Sequence, residues 1–264
     1  TTWSRVEGGE AVGNILYEVE ANFDFQNPSK HIPQLVEAYQ LLQQVKDEHW
    51  RTLKSQELKN IILAASGLYL EASSASASAT PGSKVTVNIE TINRSSPSVV
   101  LKEIQMIGVD AQLSPNKTLN DNQRENFEIN FTVPENTSYT SPYWLKEPGT
   151  LGTYTVNDQN LIGQPETPSA FKAVFKVLVA GVEIPFEKEV VHRYSRPDKG
   201  ELYEPFAILP EVTSKIDEKV LIFADADSKE VQVKIRAGKN DVSGSVSLSH
   251  PSGWVVTPSS IPFS

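Results

Sequence analysis

One change of hydrophobic period divides this chain and limits what it can fold into. Up to about residue 71 the apolar residues recur at helical spacing; beyond the small, polar run Ala72-Ser73-Ser74-Ala75-Ser76-Ala77-Ser78-Ala79-Thr80-Pro81 they alternate. After Gly8-Gly9, a first stripe is formed by Val12, Ile15, Leu16, Val19 and Phe23. Asn27-Pro28-Ser29 breaks it, and Pro33 suits the first turn of a second helix carrying Leu35, Ala38, Tyr39, Leu42 and Val45. A third helix is predicted from Trp50 to Glu71, with Leu53, Leu58, Ile61, Ile62, Ala65 and Leu68 on its apolar face. Residues 1–73 are therefore read as a helical segment and 74–82 as a linker. Three short amphipathic helices bury little area alone, so Trp3, Val6, Val12 and Leu16 are expected to be exposed for a neighbour outside the chain.

Past the linker, Val85, Val87, Ile89 and Thr91 alternate with Thr86, Asn88 and Glu90, the pattern of a half-buried strand. Residues 99–101, 104–109, 127–133, 170–179 and 182–191 continue it, the last two joined by Ala180-Gly181 as a hairpin. Residues 83–197 thus read as an antiparallel β-sandwich, with the polar stretch 134–168 as an elaborated loop. Ser195-Arg196-Pro197-Asp198-Lys199-Gly200 marks a second boundary. Beyond it, 206–208, 219–223, 231–235 and 243–248 are predicted strands of a small β-domain at 198–264, with Trp254 in its core. Such a sandwich usually takes about 100 residues, so this last domain is expected to be incomplete. The fold class is α+β, mainly β, and the 17 Pro and 14 Gly suit a chain rich in turns.

Charge and residue usage exclude several chemistries. A net charge of −9, with no basic block, disfavours nucleic acid as a partner. The longest apolar run, Asn60 to Leu70, is too short for a membrane span of about 20 residues. Without cysteine there is no disulfide, no thiolate catalysis and no sulfur-held zinc. His31, His49, His192 and His250 show no metal-ligand spacing and are read as surface or boundary residues. Asp225-Ala226-Asp227-Ser228-Lys229-Glu230 resembles an acidic calcium loop only superficially, because Lys229 sits among the would-be ligands; a hairpin turn is expected. Nucleophile-elbow and phosphate-cradling motifs are missing. The binding hint is aromatic: Tyr139, Tyr143 and Trp144 cluster in the polar loop, either as anchors of that loop or as a platform for a sugar face.

Several short stretches carry a resemblance. Thr2-Trp3-Ser4-Arg5-Val6-Glu7-Gly8-Gly9, Asn22-Phe23-Asp24-Phe25, Gly67-Leu68-Tyr69-Leu70-Glu71, Thr80-Pro81-Gly82-Ser83, Pro142-Tyr143-Trp144-Leu145, Leu161-Ile162-Gly163-Gln164-Pro165-Glu166 and Gly200-Glu201-Leu202-Tyr203-Glu204-Pro205 span nearly the whole chain. Together they resemble the region after the catalytic domain in long bacterial deacetylases of the PIG-L/LmbE type, relatives of N-acetylglucosaminyl de-N-acetylases. The final part resembles the immunoglobulin-like domains attached to sugar-processing enzymes. The family's catalytic domain holds zinc with an A-H-P-D-D-E segment and a later H-x-x-H, and such a metal polarises the amide and activates water. Neither motif occurs here; His250-Pro251 is followed by Ser252-Gly253 in place of acids. The resemblance implies a non-catalytic accessory region with no cofactor of its own, zinc belonging to a catalytic domain elsewhere in the parent. Its expected partner is that domain in cis, with a glycan as the partner of the aromatic alternative. A periplasmic or extracellular parent is implied, and the opening Thr1-Thr2-Trp3 leads to the expectation that the chain is a piece of a longer protein.

Overall fold

The computed structural model describes residues 2–95 and 97–264. The chain is mainly β with a few helices, an α+β protein, and divides into two compact units that are not consecutive in sequence. One unit comprises Thr1–Ala77, Thr86–Phe131 and Ser169–Phe206; the other comprises Ser78–Val85, Thr132–Pro168 and Ala207–Ser264. This differs from the expected succession of helical, sandwich and terminal domains.

The first unit opens with α1 (Gly9–Ala21), α2 (Ile32–Leu42) and α3 (Glu48–Ala65). Asp47 caps α3 by accepting a hydrogen bond from Trp50 N at 3.0 Å, satisfying a donor that the first helical turn leaves free. The helices pack through Val12, Ile32, Leu35, Leu42 and Ile62, all essentially inaccessible. Val12 is therefore a core residue, contrary to expectation, while Trp3, Val6 and Leu16 are half-buried. The third helix also stops earlier than its apolar stripe suggests. Ser66 turns its hydroxyl back onto Ile62 O at 2.7 Å, Gly67 takes the left-handed conformation (φ +57°), and the chain leaves as a strand at Tyr69.

The strands, in chain order, are β1 (Tyr69–Ser74), β2 (Ser78–Ala79), β3 (Lys84–Ile92), β4 (Val99–Ile107), β5 (Gln112–Leu113), β6 (Lys117–Thr118) and β7 (Arg124–Thr132). They continue with β8 (Lys172–Val179), β9 (Val182–Arg196), β10 (Gly200–Pro205), β11 (Ala207–Ile208), β12 (Val212–Ile216), β13 (Val233–Ala237), β14 (Gly244–Val246) and β15 (Ile261–Phe263). A nine-stranded sheet runs β5-β4-β8-β9-β1-β3-β7, with β10 also on β9 and β6 also on β4. The two predicted strands at 99–101 and 104–109 are one strand, β4, interrupted by a register shift between Leu101 and Glu103. The predicted hairpin is present: Ala180 (φ +48°) and Gly181 (φ +83°) are both left-handed, the turn whose twist matches the flanking strands.

The small, polar run forms no linker. Its first residues complete β1, which pairs antiparallel with β3 and parallel with β9, and Ala72, Ser73 and Ser74 are buried there. The boundary expected near 197 is likewise a tight turn inside the sheet. Arg196 and Gly200 face each other across the β9–β10 hairpin, with Lys199 N bonded to Arg196 O at 3.2 Å.

The second unit contains three two-stranded sheets, β2–β11, β12–β13 and β14–β15, and the long loop 134–168. Val133 and Ile208 are fully buried in it. Thr140 brackets Ile208, bonding to its carbonyl at 2.8 Å and accepting from its N–H at 2.9 Å. The predicted strand at 219–223 does not form; the strands of that region are Val212–Ile216 and Val233–Ala237. Trp254 is half exposed and packs edge-on against Phe223 at 4.6 Å, so it is not the core residue expected.

Candidate functional site

The place where the nine-stranded sheet stops being regular is the place where its polar side chains gather. The parallel ladder between β1 and β9 covers only Ala72–Ser74 against Val190–His192. Carried two steps further, that register would set Glu71 beside Glu189 and then Leu70 beside Lys188. Instead the strands part, and a cleft of about 280 Å³ opens between Tyr69–Ala72 on one side and Lys188, Glu189 and Val191 on the other, with Tyr203 of β10 at its edge.

Beside the cleft, a chain of charge-assisted contacts crosses five strands. Glu71 of β1 and Glu90 of β3 lie directly opposite each other and are both nearly inaccessible, an arrangement in which two carboxylates repel. Arg193 of β9 relieves it, with Nη1 2.9 Å from Glu71 Oε1 and 3.3 Å from Glu90 Oε2. Arg124 of β7 binds the other side of Glu90 at 3.1 Å, and Glu201 of β10 lies 3.9 Å from Arg193. Tyr69 donates its hydroxyl to Glu71 Oε2 at 2.5 Å, and Tyr203 donates to Glu201 Oε1 at 2.5 Å. Although Arg193 sits close to Glu71 Oε1, it lies off the direction of a hydrogen bond. That buried oxygen has a charge partner and no hydrogen donor.

These surroundings fix protonation states. Burial first, then the hydrogen bond to Glu71, pushes the Tyr69 phenol far above its ordinary value, so it stays a donor. The hydrogen bond to Glu201, followed by burial, raises Tyr203 as well. Burial works against the charged Arg193 guanidinium, but Glu71 and Glu90 outweigh it and hold it protonated. Burial pulls the Lys188 ammonium below the usual lysine range.

A smaller cavity, about 140 Å³, lies among the helices between Trp3, Val6, Tyr17, Trp50 and Lys54. Gly13 makes room for the Trp3 side chain: a Cβ there would stand 2.6 Å from that of Trp3.

The aromatic trio read from the sequence is only partly assembled. Tyr143 and Trp144 meet edge-to-face at 4.9 Å, while Tyr139 is exposed and pairs with neither ring among the described residues. Tyr143 is tied into the loop at both ends, its N–H to Thr167 Oγ1 at 2.9 Å and its hydroxyl to Gln164 O at 3.1 Å. His31 sits at the N-cap of α2, a boundary position as expected, and is buried rather than superficial. His31 Nε2 accepts from Asp24 N at 3.1 Å, which places its proton on Nδ1, facing Gln34 Oε1 at 3.2 Å. Nδ1 of His192 faces the carbonyl of Ser74 at 2.9 Å and so also carries the proton. Asp225 and Asp227 fall in the connection between β12 and β13, where Asp225 Oδ1 accepts from Asp227 N at 3.1 Å. Among the described residues no group of three or more potential ligands could hold a metal ion, and no helix is long and apolar enough to cross a membrane.

Sequence reasoning singled out Gly67–Glu71 and Gly200–Pro205 as motifs but did not identify Tyr69, Glu71, Arg193 and Tyr203 as one cluster. Alternation places Glu71 on a strand only once that strand is recognised, and nothing local brings residue 71 beside residue 193.

No family model matches the chain, and no curated protein matches it. Among solved structures, the sporulation control protein Spo0M of Bacillus subtilis is similar at a TM-score of 0.25 and 10% identity, over 46% of this chain and 47% of that one. The alkylpurine DNA glycosylase AlkC of Pseudomonas fluorescens, bound to DNA containing an abasic site analog, is similar at a TM-score of 0.23 and 9% identity, over 66% and 50%. The chain spans about half the length of each, and likenesses this slight carry no argument about fold or activity.

Proposed function

We propose that this chain is the non-catalytic accessory region of a PIG-L/LmbE-type deacetylase, a zinc-dependent hydrolase of N-acetylated sugars, and that it packs on or extends the substrate site of its parent. One observation carries the reading: four of the stretches that resemble the family meet in two joints, and a fifth closes its own turn. Tyr69 and Glu71 of one stretch and Glu201 and Tyr203 of another flank Arg193 from neighbouring strands. Tyr143 of a third closes onto Gln164 of a fourth. Thr80 and Ser83 clasp their own turn, Ser83 Oγ bonding to Thr80 O at 2.6 Å, and Gly82 N reaches Val133 O at 2.9 Å. Residues spent on joints support a scaffold better than a reaction centre, and the engaged hydroxyl of Tyr143 supports loop anchoring over a sugar platform.

In this reading the stretch Ala207–Ser264 belongs to an immunoglobulin-like sandwich. The exposed Val220, Ile222 and Val255 are then the residues that further strands would cover. The zinc and its ligands belong to the parent's catalytic domain.

The test is the parent gene. An in-frame segment ahead of Thr1 encoding an A-H-P-D-D-E motif and a later H-x-x-H supports the proposal, and a frame without them ends it. The isolated chain, incubated with zinc and N-acetylglucosamine oligomers, is expected to release no amine above the buffer control.

A further inference from the structure

We propose that the cleft between β1 and β9 binds a single neutral sugar ring, with Tyr203 as its aromatic wall and Glu189 as a hydrogen-bond acceptor at its rim. The inference concerns the cleft alone and holds whether or not the chain is an accessory region.

The charges around the cleft favour a neutral ligand. Glu71 and Glu189 line the cleft, but so does Lys188, and Arg193 stands 2.9 Å from Glu71. An anion would meet two carboxylates, and a metal ion would meet the Lys188 ammonium beside a Glu71 already paired with Arg193. A neutral ligand meets neither penalty.

The cleft also mixes apolar and polar surface. Small-molecule sites join apolar walls to a few placed polar groups. Here the walls are Tyr69, Val191 and Tyr203. Both tyrosine hydroxyls are committed to carboxylates, and Arg94 already lies over the Tyr69 ring at 5.5 Å, which leaves the Tyr203 ring to offer its face. Glu71 lines the same cleft but its Oε1 is inaccessible, so Glu189 is the carboxylate left to accept at the rim. The complement is a molecule with C–H faces and hydroxyl donors around its edge, which describes a pyranose. The cleft's volume of about 280 Å³ lies just under the ~300 Å³ at which small-molecule pockets begin, room for one ring.

The experiment is ligand-observed NMR titration of the full chain with glucose, galactose, mannose and N-acetylglucosamine, and with methylammonium and phosphate as charged comparisons. At least one sugar is expected to bind saturably in the millimolar range and the ions not at all. Tyr203→Ala should weaken that sugar at least tenfold, Tyr203→Phe should stay within about threefold because the hydroxyl is already engaged, and Trp144→Ala should change nothing. Tyr203 is half exposed, and near-UV circular dichroism checks that each variant keeps its tertiary packing. Absence of saturable sugar binding overturns the proposal, as does preference for an ion. So does binding that survives Tyr203→Ala, or is lost in Trp144→Ala. None of these results bears on the gene frame that tests the accessory reading.

Discussion

β8 and the stretch from Val212 to Phe263 have similar alternating sequences and opposite fates. In β8 every second residue, Ala173, Phe175, Val177 and Val179, is completely buried. In β12 to β15 the strands pair, yet beyond Ile208 no apolar residue among the described residues is buried, and Val220, Ile222 and Val255 are at least 74% exposed. Alternation specifies a strand; a core requires a second surface laid on it. Backbone pairing alone leaves a two-stranded sheet marginal in water.

The widest gap between the two regions should appear on truncating a core ring. Phe175→Ala is expected to cost about 3–5 kcal/mol in chemical denaturation, with the amides of β8 and β9 among the slowest to exchange. A loss under 1 kcal/mol would mean the sheet is no better packed than β12–β15.

Removing the central cation comes next. Arg193→Met leaves Glu71 and Glu90 opposed and buried, and should destabilise by about 3 kcal/mol, since breaking one side of a buried ion pair strands the other. Adding Glu90→Gln should recover much of that loss. Failure of the double variant to recover would show that Arg193 acts through packing and not through charge.

Lys188→Met should act in the other direction and more weakly. Burial lowers the folded-state pKa of Lys188, so between that value and the ordinary lysine value near 10.5 the unfolded chain binds more protons, and stability rises with pH. Below this window the full cost of burying the ammonium is present, and the methionine variant should be the more stable protein at neutral pH. Its advantage should shrink as pH climbs toward 10.5, and thermal melts at pH 7 and 10 read the difference. At the bottom of the scale, Ile222→Ala should change stability by no more than about 0.5 kcal/mol, because its side chain is 74% exposed and loses little on truncation.

Most of the sheet was legible from alternation: β3, β4, β7, β8 and β9 fall where period two placed them, and the Ala180-Gly181 turn was read correctly. β1 was not, for a physical reason. Ala72, Ser73 and Ser74 have little strand preference, and they are held by ladders on both sides, a tertiary circumstance that overrides local propensity. Missing β1 meant missing the cleft, because Tyr69 and Glu71 were assigned to a helix. Residues 219–223 failed in the opposite way, since a run with strong strand preference found no partner. Of the aromatic trio, adjacency in sequence foretold the Tyr143–Trp144 contact and nothing more.

The parallel seam between β1 and β9 also bears on the order of assembly. β8, β9 and β10 are successive antiparallel strands, and each joins its neighbour through a short turn. The seam, by contrast, brings Ser74 and His192 together across 118 residues. Closing so long a loop carries a large entropy cost before any contact rewards it, whereas the meander closes locally. The 172–205 meander is therefore the natural nucleus, and β1 docks onto it late. The cleft takes shape with that docking event, so a refolding signal from Tyr69 should lag behind one from Phe175.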